Sequence, residues 1–313
     1  MTDYDVVYLG KKAQEMGFVR DTLEKVMRLA DILEYLNTNP ILKSPLALKG
    51  GTAINLTFFN LPRLSVDIDL DYLVANSKQE MLEDRKTIHS TIERYMVSQG
   101  YTRSKKTKHH HSLESFVYDY LGASGNKDNI KIEINYSLRS HLLEPREASI
   151  IPDLFSSDYR VKTLAPLEIY AGKINALLNR AAPRDLYDVK NMIEANLFDD
   201  KDYGLLRKCV VFYAAVSANQ VDGTFDTNGM DSITERRIKT ELLPVLKRTN
   251  RFDLNSAKNL VKAFISDLMT LTSEEREFLL AFQDKVYKPE LLFEDEEILE
   301  RIQHHPMALW KTR

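Results

Sequence analysis

The chain has 313 residues, of which 43% are hydrophobic and 28% are charged, and its formal net charge at pH 7 is −3. This composition is that of an ordinary globular protein with room for about two domains, and it excludes a strongly basic nucleic-acid binder. No apolar run approaches the roughly 20 residues of a membrane helix, the N-terminus lacks the features of a signal peptide, and the single cysteine, Cys209, fits a reducing cytoplasm.

The first half of the chain mixes helical and strand patterns. Apolar residues recur at helical spacing in some segments and alternate with polar residues in others. The elements expected, in chain order, are a helix over 11–37, a strand over 46–49, a helix over 52–59, a strand over 65–74, a helix over 77–98, strands over 101–108, 112–120 and 129–137, and edge strands over 148–152 and 161–164.

Strand patterns almost vanish after residue 165. Helices are expected over residues 166–179, 184–195, 205–218, 231–247, 254–271, 273–287 and 295–304. The sequence therefore predicts an α+β fold with a mixed-sheet domain over residues 1–164 and an all-helical domain over residues 165–313.

Three aspartates stand at alternate positions of one predicted strand. Period-two spacing puts Asp67, Asp69 and Asp71 on one face and apolar residues on the other. Like charges on a strand repel each other, and a half-buried carboxylate is costly to desolvate, so a hard divalent cation is the natural partner. Taken alone, the pattern also fits a solvated strand edge.

A glycine pair stands between a predicted strand and a short helix. Gly50 and Gly51 would let the backbone come close to a phosphate, and the N–H groups after Thr52 would favour an anion. A third carboxylate, Glu133, lies in the middle of the alternating run 129–137. Glu133 either joins the cation site or forms a cross-strand ion pair.

These motifs resemble the nucleotidyltransferase fold of the DNA polymerase beta superfamily, and more closely the AbiEii/AbiGii-type toxins. The stretch "LPRLSVDIDLDY" resembles the R-x-S-x-D-x-D block of that family, residues 166–192 resemble its helical signature, and "HHPMALW" resembles its C-terminus. The resemblance covers the chain from about Leu46 to the end.

The resemblance implies a role for each matching residue. The implied nucleotide-binding residues are Gly50, Gly51, Thr52, Ser65 and Lys173. The implied metal ligands are Asp67, Asp69 and Glu133, which would hold Mg²⁺ or Mn²⁺. Lys173 and Asp185 match positions that the family resemblance implies are essential for activity. The sequence does not define the exact chemical roles of Asp185, Asp188 and Arg184.

The resemblance also implies the reaction and its partners. We expect transfer of a nucleoside monophosphate from a nucleoside triphosphate to RNA, plausibly the 3′ end of tRNA, by a cytoplasmic toxin with a separately encoded antitoxin and no membrane partner. Two alternatives remain open: modification of a small molecule or a protein, and a catalytically inactive nucleotide-binding or interaction module.

Three consecutive histidines, residues 109–111, end a basic run. Adjacent residues of a strand alternate between faces, and no cysteine lies near them, so a zinc site is not expected there. The run "TRSKKTKHHH" could contact nucleic-acid phosphate or could form a solvated strand edge.

Overall fold

The computed structural model describes residues 4–152, 154–155, 159–217 and 223–313. Its strands are β1 (Leu46–Lys49), β2 (Asp67–Tyr72), β3 (Thr102–Arg103), β4 (Lys108–His109), β5 (Leu113–Leu121), β6 (Lys127–Asn135), β7 (Arg146–Ser149) and β8 (Arg160–Thr163). Its α-helices are α1 (Val6–Met16), α2 (Arg20–Thr38), α3 (Gly50–Ala53), α4 (Lys78–Ser98), α5 (Pro166–Arg180), α6 (Pro183–Glu194), α7 (Asp200–Val216), α8 (Glu235–Arg237), α9 (Leu254–Leu268), α10 (Ser273–Gln283), α11 (Glu296–Ile302) and α12 (Pro306–Lys311).

The strands form one mixed sheet in the order β3-β5-β6-β2-β1-β8-β7, and β4 also pairs with β5. β2 lies in the middle, antiparallel to β1 and parallel to β6. Its apolar side chains Ile68, Leu70 and Tyr72 are buried, as are the isoleucines of β6. One face of the central strands therefore belongs to the core, and the other carries the aspartates.

The chain forms two compact units. The first contains the sheet and comprises the chain up to Arg139, Pro145–Leu164 and Leu243–Asn250. The second is helical and comprises Ser140–Glu144, Ala165–Leu242 and Arg251–Arg313. Within the described ranges of the chain, no helix has the length and apolar character that crossing a membrane requires.

The single helix expected over residues 11–37 is wrong, because the chain forms α1 and α2 there. Gly17 ends α1 with a φ of 76°, a left-handed conformation that glycine adopts without a steric penalty. Its N–H caps the carbonyls of Ala13 and Gln14. The apolar spacing continues across this break, so periodicity alone did not reveal it.

Two other predicted elements are interrupted. The strand expected over 101–108 is divided into β3 and β4 by a turn in which the Thr107 N–H donates to the Ser104 carbonyl at 3.1 Å. The helix expected over 231–247 is replaced by short turns, including a π-helical turn, Ile238–Leu242, and a 3₁₀ turn, Leu243–Val245. Pro244 has no N–H to continue a helix.

The turn between β5 and β6 is a tight hairpin, as expected, but shorter than the predicted loop. Its Gly122 N–H donates to the Asn126 carbonyl at 2.8 Å. β6 consequently begins at Lys127, so it contains Asp128 as well as Glu133. The last helix, α12, was not predicted, since its six residues are too few to show a helical period.

Candidate functional site

The glycine turn joins the end of β1 to α3. Gly50 has a φ of 66°, and a Cβ at this position would lie 2.5 Å from Oδ2 of Asp69. Only glycine fits at this position, because the backbone conformation is left-handed and the Asp69 carboxylate occupies the space that a Cβ would take. The backbone of the turn is therefore in direct contact with the aspartate strand.

Gly51 is restricted by a different pair of side chains. A Cβ on Gly51 would lie 2.6 Å from Nη2 of Arg63 and 2.8 Å from Oγ of Ser65. Arg63 is only 2% exposed, and its Nη1 donates to the Leu64 carbonyl at 3.0 Å. The arginine and serine of the R-x-S-x-D-x-D block thus pack against the second glycine, which places a buried positive charge beside the turn.

Thr52 fixes the turn to β2. Its hydroxyl donates to the main-chain carbonyl of Asp67, and the residue is 1% exposed. In the same helix, Nδ2 of Asn55 donates to the Gly51 carbonyl at 2.7 Å. Because the Thr52 hydroxyl is used in this bond, its side chain positions the turn and Asp67.

The acidic residues of β2 lie beside those of β6. The parallel register pairs Asp67 with Lys131, Asp69 with Glu133 and Asp71 with Asn135. Paired residues of neighbouring strands project from the same face of the sheet, so Glu133 is next to Asp69. The register thus places the three expected metal ligands on one face of two adjacent strands.

Two lysines share this face with the acids. Nζ of Lys49 lies 2.6 Å from Oδ1 of Asp71, and Nζ of Lys131 lies 2.8 Å from Oε2 of Glu133. Over the paired segments 47–49, 67–71 and 131–135, four carboxylates and two ammonium groups give a net charge of −2. Two like charges about 5 Å apart repel by about 3 kcal/mol at an effective dielectric constant near 20. The net charge equals that which one divalent cation neutralises.

Asp71 differs from the other two aspartates of β2. It is 1% exposed and paired with Lys49, whereas Asp67 and Asp69 are partly exposed. A cation site on this face would therefore use Asp67 and Asp69, and Asp71 has a structural role. The sequence pattern alone does not separate the three.

The carboxylates of Asp67, Asp69 and Glu133 are neighbours but not a closed ligand cluster. Among the described residues, the group with three ligand atoms all within 4.8 Å of one another is His89, His109 and Glu114. A cation at the aspartate face would require Glu133 to turn from Lys131. The donor chemistry fits Mg²⁺ or Mn²⁺, which prefer carboxylate oxygens.

The helical unit contains the other two expected site residues. Nζ of Lys173 on α5 lies 2.9 Å from Oδ1 of Asp185 and 3.0 Å from Oδ2 of Asp188 on α6. Lys173 is 8% exposed and both aspartates are 1% exposed. The structure therefore brings Lys173, Asp185 and Asp188 together in a buried ion-pair cluster.

Asp185 has a second cationic partner. Nε of Arg180 donates to Oδ2 of Asp185 at 2.7 Å. Burial acts to raise the pKa of Asp185, but Lys173 and Arg180 outweigh it, so the pKa lies below its usual value. Arg184 is oriented elsewhere within this unit, since its Nε donates to the main-chain carbonyl of Glu241 at 3.1 Å. Asp185 is accordingly a charged residue at neutral pH.

A further buried acid of the helical unit, Glu168 on α5, was not predicted as a site residue from the sequence. It accepts hydrogen bonds from the Leu142 N–H at 2.8 Å and from the Tyr213 hydroxyl, and His141 Nδ1 lies 3.8 Å away. Burial raises the pKa of Glu168 despite these partners. The same burial raises the pKa of the Cys209 thiol, which is fully buried. Neither group is placed to act on a solvent-borne substrate.

Comparison with known families identifies the family of the chain. Residues 31–286 match the family described as "Nucleotidyl transferase AbiEii toxin, Type IV TA system", where TA denotes toxin–antitoxin. Because the match covers most of the chain, the protein belongs to the AbiEii family of nucleotidyltransferase toxins, and it is a nucleotidyltransferase. None of the curated protein sequences matches the chain significantly.

A solved structure has the same fold. It is that of MenT4, a nucleotidyltransferase toxin from Mycobacterium tuberculosis H37Rv, with a TM-score of 0.64, 16% sequence identity and coverage of 98% of each chain. At this identity the similarity concerns the fold alone. The expected family and the expected α+β fold are both confirmed.

Two residues near the glycine turn were missed by sequence reasoning. Lys49 is the register partner of Asp69 and immediately precedes the glycines. Arg63 is the arginine of the quoted block, and its burial beside Gly51 was not foreseen. Both Lys49 and Arg63 could have been identified from the sequence, because each lies next to or within a recognised motif.

Proposed function

We propose that the protein is a magnesium-dependent toxin that transfers a nucleoside monophosphate from a nucleoside triphosphate to RNA. The observation that carries this proposal is the pairing of Asp69 with Glu133 beside a glycine whose missing Cβ lets Asp69 contact the turn. The oxygen of an RNA hydroxyl bonds to the α-phosphorus and releases its proton to water, while the bond between the α-phosphorus and the oxygen bridging to the β-phosphorus breaks and pyrophosphate leaves.

The glycine turn binds the triphosphate in this proposal. Gly50 and Gly51 add no side chain of their own to the turn, and the Ser65 hydroxyl and the Arg63 guanidinium lie beside Gly51. Arg63 contributes a fixed positive charge that is shielded from water, which strengthens its attraction for an anion. Thr52 holds the turn in place through Asp67.

Asp67, Asp69 and Glu133 would hold the metal. When bound, a divalent cation supplies neutralisation of the charge that develops on the reacting phosphoryl group. Asp67 and Asp69 are partly exposed and can reach a ligand. Lys49 holds Asp71 by an ion pair, which keeps the end of β2 in register while the other two aspartates act.

The family resemblance supports a role in this proposal for two residues of the helical unit, Lys173 and Asp185. Lys173 would place a positive charge on a phosphate, and Asp185 would orient the nucleotide or the acceptor. The ion pairs between Lys173, Asp185 and Asp188 support a further role, in which the acids hold the ammonium group in one position.

RNA, plausibly the 3′ end of tRNA, is the acceptor that the family resemblance favours, and a separately encoded antitoxin is the partner. The exposed side chains of Lys105, Lys106 and Lys108 give the sheet unit a basic segment suited to phosphate contacts. Cytoplasmic location is part of the same proposal, and it is supported by the single cysteine.

The test is incubation with each labelled nucleoside triphosphate, total RNA and either Mg²⁺ or Mn²⁺. The wild type should label RNA, and Asp69→Ala should reduce labelling to background. Asp119→Ala is a matched control, because this exposed acid of β5 lies outside the site. Label on a small molecule or a polypeptide instead of RNA would indicate a different acceptor, and labelling by Asp69→Ala would refute the proposed metal site.

A further inference from the structure

A second cluster of ligand side chains lies on the opposite face of the same sheet. His89 comes from α4, His109 from β4 and Glu114 from β5. The β5–β6 register pairs Glu114 with Ile134, and it pairs Ser115 with Glu133. Successive residues of a strand project to opposite faces, so Glu114 is on the face away from Glu133 and the aspartates. The cluster is therefore separate from the proposed nucleotide site.

The three side chains are spaced as ligands of a tetrahedral metal ion. Nδ1 of His109 lies 3.1 Å and Nδ1 of His89 lies 3.7 Å from Oε1 of Glu114. All three ligand atoms are within 4.8 Å of one another. A tetrahedral ion with bonds of about 2.1 Å separates its ligand atoms by about 3.4 Å, which lies between the two shorter distances. Small side-chain rotations would close the set.

Glu114 gives an independent reason to expect a ligand. It is 3% exposed, and its Oε2 is buried without a hydrogen-bond partner among the described residues. A buried carboxylate oxygen without a partner is unfavourable, and coordination of a cation would satisfy it.

We propose that His89, His109 and Glu114 bind one transition-metal ion of the zinc class. Two imidazoles and one carboxylate suit such an ion, and they leave a fourth position for water. Nε2 of His89 lies 4.0 Å from Oε2 of Glu93, which places a carboxylate behind the ring, as is usual for metal-bound histidines. The ion would join α4 to β4 and β5.

Two arginines compete with the metal ion. Nε of Arg85 lies 3.2 Å from Oε1 of Glu114, and Nη2 of Arg103 lies 2.5 Å from Nε2 of His109. With a metal on Nδ1, the Nε2 of His109 carries a proton and cannot accept from Arg103. The Arg103 side chain is 38% exposed, so it can turn into solvent. Metal binding therefore displaces Arg103, and Arg103→Ala should bind the metal more tightly.

The metal site would act on stability, because a ligand that binds only the folded state raises its melting temperature. The metal site at the histidine cluster is independent of the proposed site at Asp67 and Asp69, because the carboxylates of that second site favour hard cations such as Mg²⁺. A zinc-class ion at the histidine cluster should accordingly remain bound when excess Mg²⁺ is added. Binding should also survive Asp69→Asn, which leaves the opposite face unchanged.

The test is titration of untagged, chelator-treated full-length protein with Zn²⁺ by calorimetry and with Co²⁺ by visible absorption. The wild type should bind one equivalent, show the absorption of tetrahedral Co²⁺, and gain thermal stability with Zn²⁺. His109→Gln and His89→Gln should each weaken binding by at least about ten-fold. His110→Gln is the matched control, since it changes a neighbouring histidine outside the cluster, and it should bind like the wild type.

Three results would overturn the proposal. They are the absence of Zn²⁺ binding by the folded wild type, binding as tight as that of the wild type in both cluster variants, and a weakening by His110→Gln as large as that by His89→Gln or His109→Gln. Circular dichroism of each variant checks that it is folded. Arg103→Ala provides a second measurement on an exposed residue, and weaker binding by that variant would contradict the displacement of Arg103.

Discussion

The hydroxyl of Thr52 donates a hydrogen bond to the main-chain carbonyl of Asp67. This side chain therefore links the glycine turn to the aspartate strand. Asp69 adds a second connection, since its carboxylate occupies the space beside Gly50. The glycine turn and the aspartate strand thus form one structural unit.

Replacing Thr52 tests this connection. Thr52→Val keeps the shape but removes the hydroxyl, and it should lower the free energy of unfolding by about 1 kcal/mol. It should also reduce nucleotide transfer, because Asp67 is no longer held by the turn. Thr52→Ser keeps the hydroxyl and serves as the control. Denaturant unfolding and labelling assays on both variants give the comparison, and equal activity in the two would show that the bond is dispensable.

Gly50→Ala tests the close approach of the turn to Asp69. The left-handed φ of Gly50 alone should lower the free energy of unfolding by about 1–2 kcal/mol, and the contact with Asp69 adds to this. Gly125→Ala is the matched control, since Gly125 has a φ of 78° and open space where a Cβ would be. Urea denaturation should show a larger loss for Gly50→Ala than for Gly125→Ala. Equal losses would mean that the contact with Asp69 has no effect.

Asp71→Asn and Asp69→Asn should separate stability from activity. Asp71 is buried against Lys49, so Asp71→Asn should lower the free energy of unfolding by about 2 kcal/mol. Asp69→Asn should abolish transfer while leaving the melting temperature nearly unchanged. Both are measured by thermal unfolding and by labelling at a temperature where each variant is folded. The reverse pattern would assign the metal to Asp71.

Lys173→Met tests the buried cluster of the helical unit. The substitution leaves Asp185 and Asp188 without Lys173, and it should lower the free energy of unfolding by about 3–5 kcal/mol. Lys190→Met is the control, because Lys190 forms an ion pair with the exposed Glu194 on α6, and it should change stability by less than about 1 kcal/mol. Chemical denaturation measures both. Similar values for the two variants would show that the buried pairs contribute little.

The pH dependence of stability tests the charge of Asp185. Its pKa in the folded protein is below the usual value of about 3.9, so its ion pairs contribute fully above that pH. This contribution is lost as the pH falls through the folded pKa. The difference in unfolding free energy between the wild type and Asp185→Asn should therefore shrink as the pH falls from about 6 to about 3. A constant difference would contradict the lowered pKa.

Local patterns predicted the strands and the shared face of the central acids. The alternation of Asp67, Asp69 and Asp71 with apolar residues fixed their shared face, and the apolar run around Glu133 fixed its strand. The neighbouring register of Asp69 and Glu133 needed only the assumption that the two strands are adjacent, and they are. The roles of these residues in binding nucleotide and metal stay predictions.

Features that depend on distant parts of the chain were not accessible to sequence reasoning. The burial of Lys173 depends on how α6 packs on α5, and a helical lysine is more often solvated. The sequence predicts no zinc site at residues 109–111, because adjacent residues of a strand alternate between faces and no cysteine lies near them. The structure brings His109 together with His89 and Glu114, which come from other elements. The spacing of residues along the sequence does not show which side chains from different elements lie close together in the fold.

The pairing of β2 with β6 also has a consequence for protein synthesis. Residue 69 leaves the ribosome well before residue 133, so one edge of β2 stays without its parallel neighbour while α4 and β5 are made. An unpaired strand edge invites pairing with another chain, and charged side chains oppose it. The aspartates at positions 67, 69 and 71 are charged side chains of this kind, on the strand whose edge is uncovered until β6 is made.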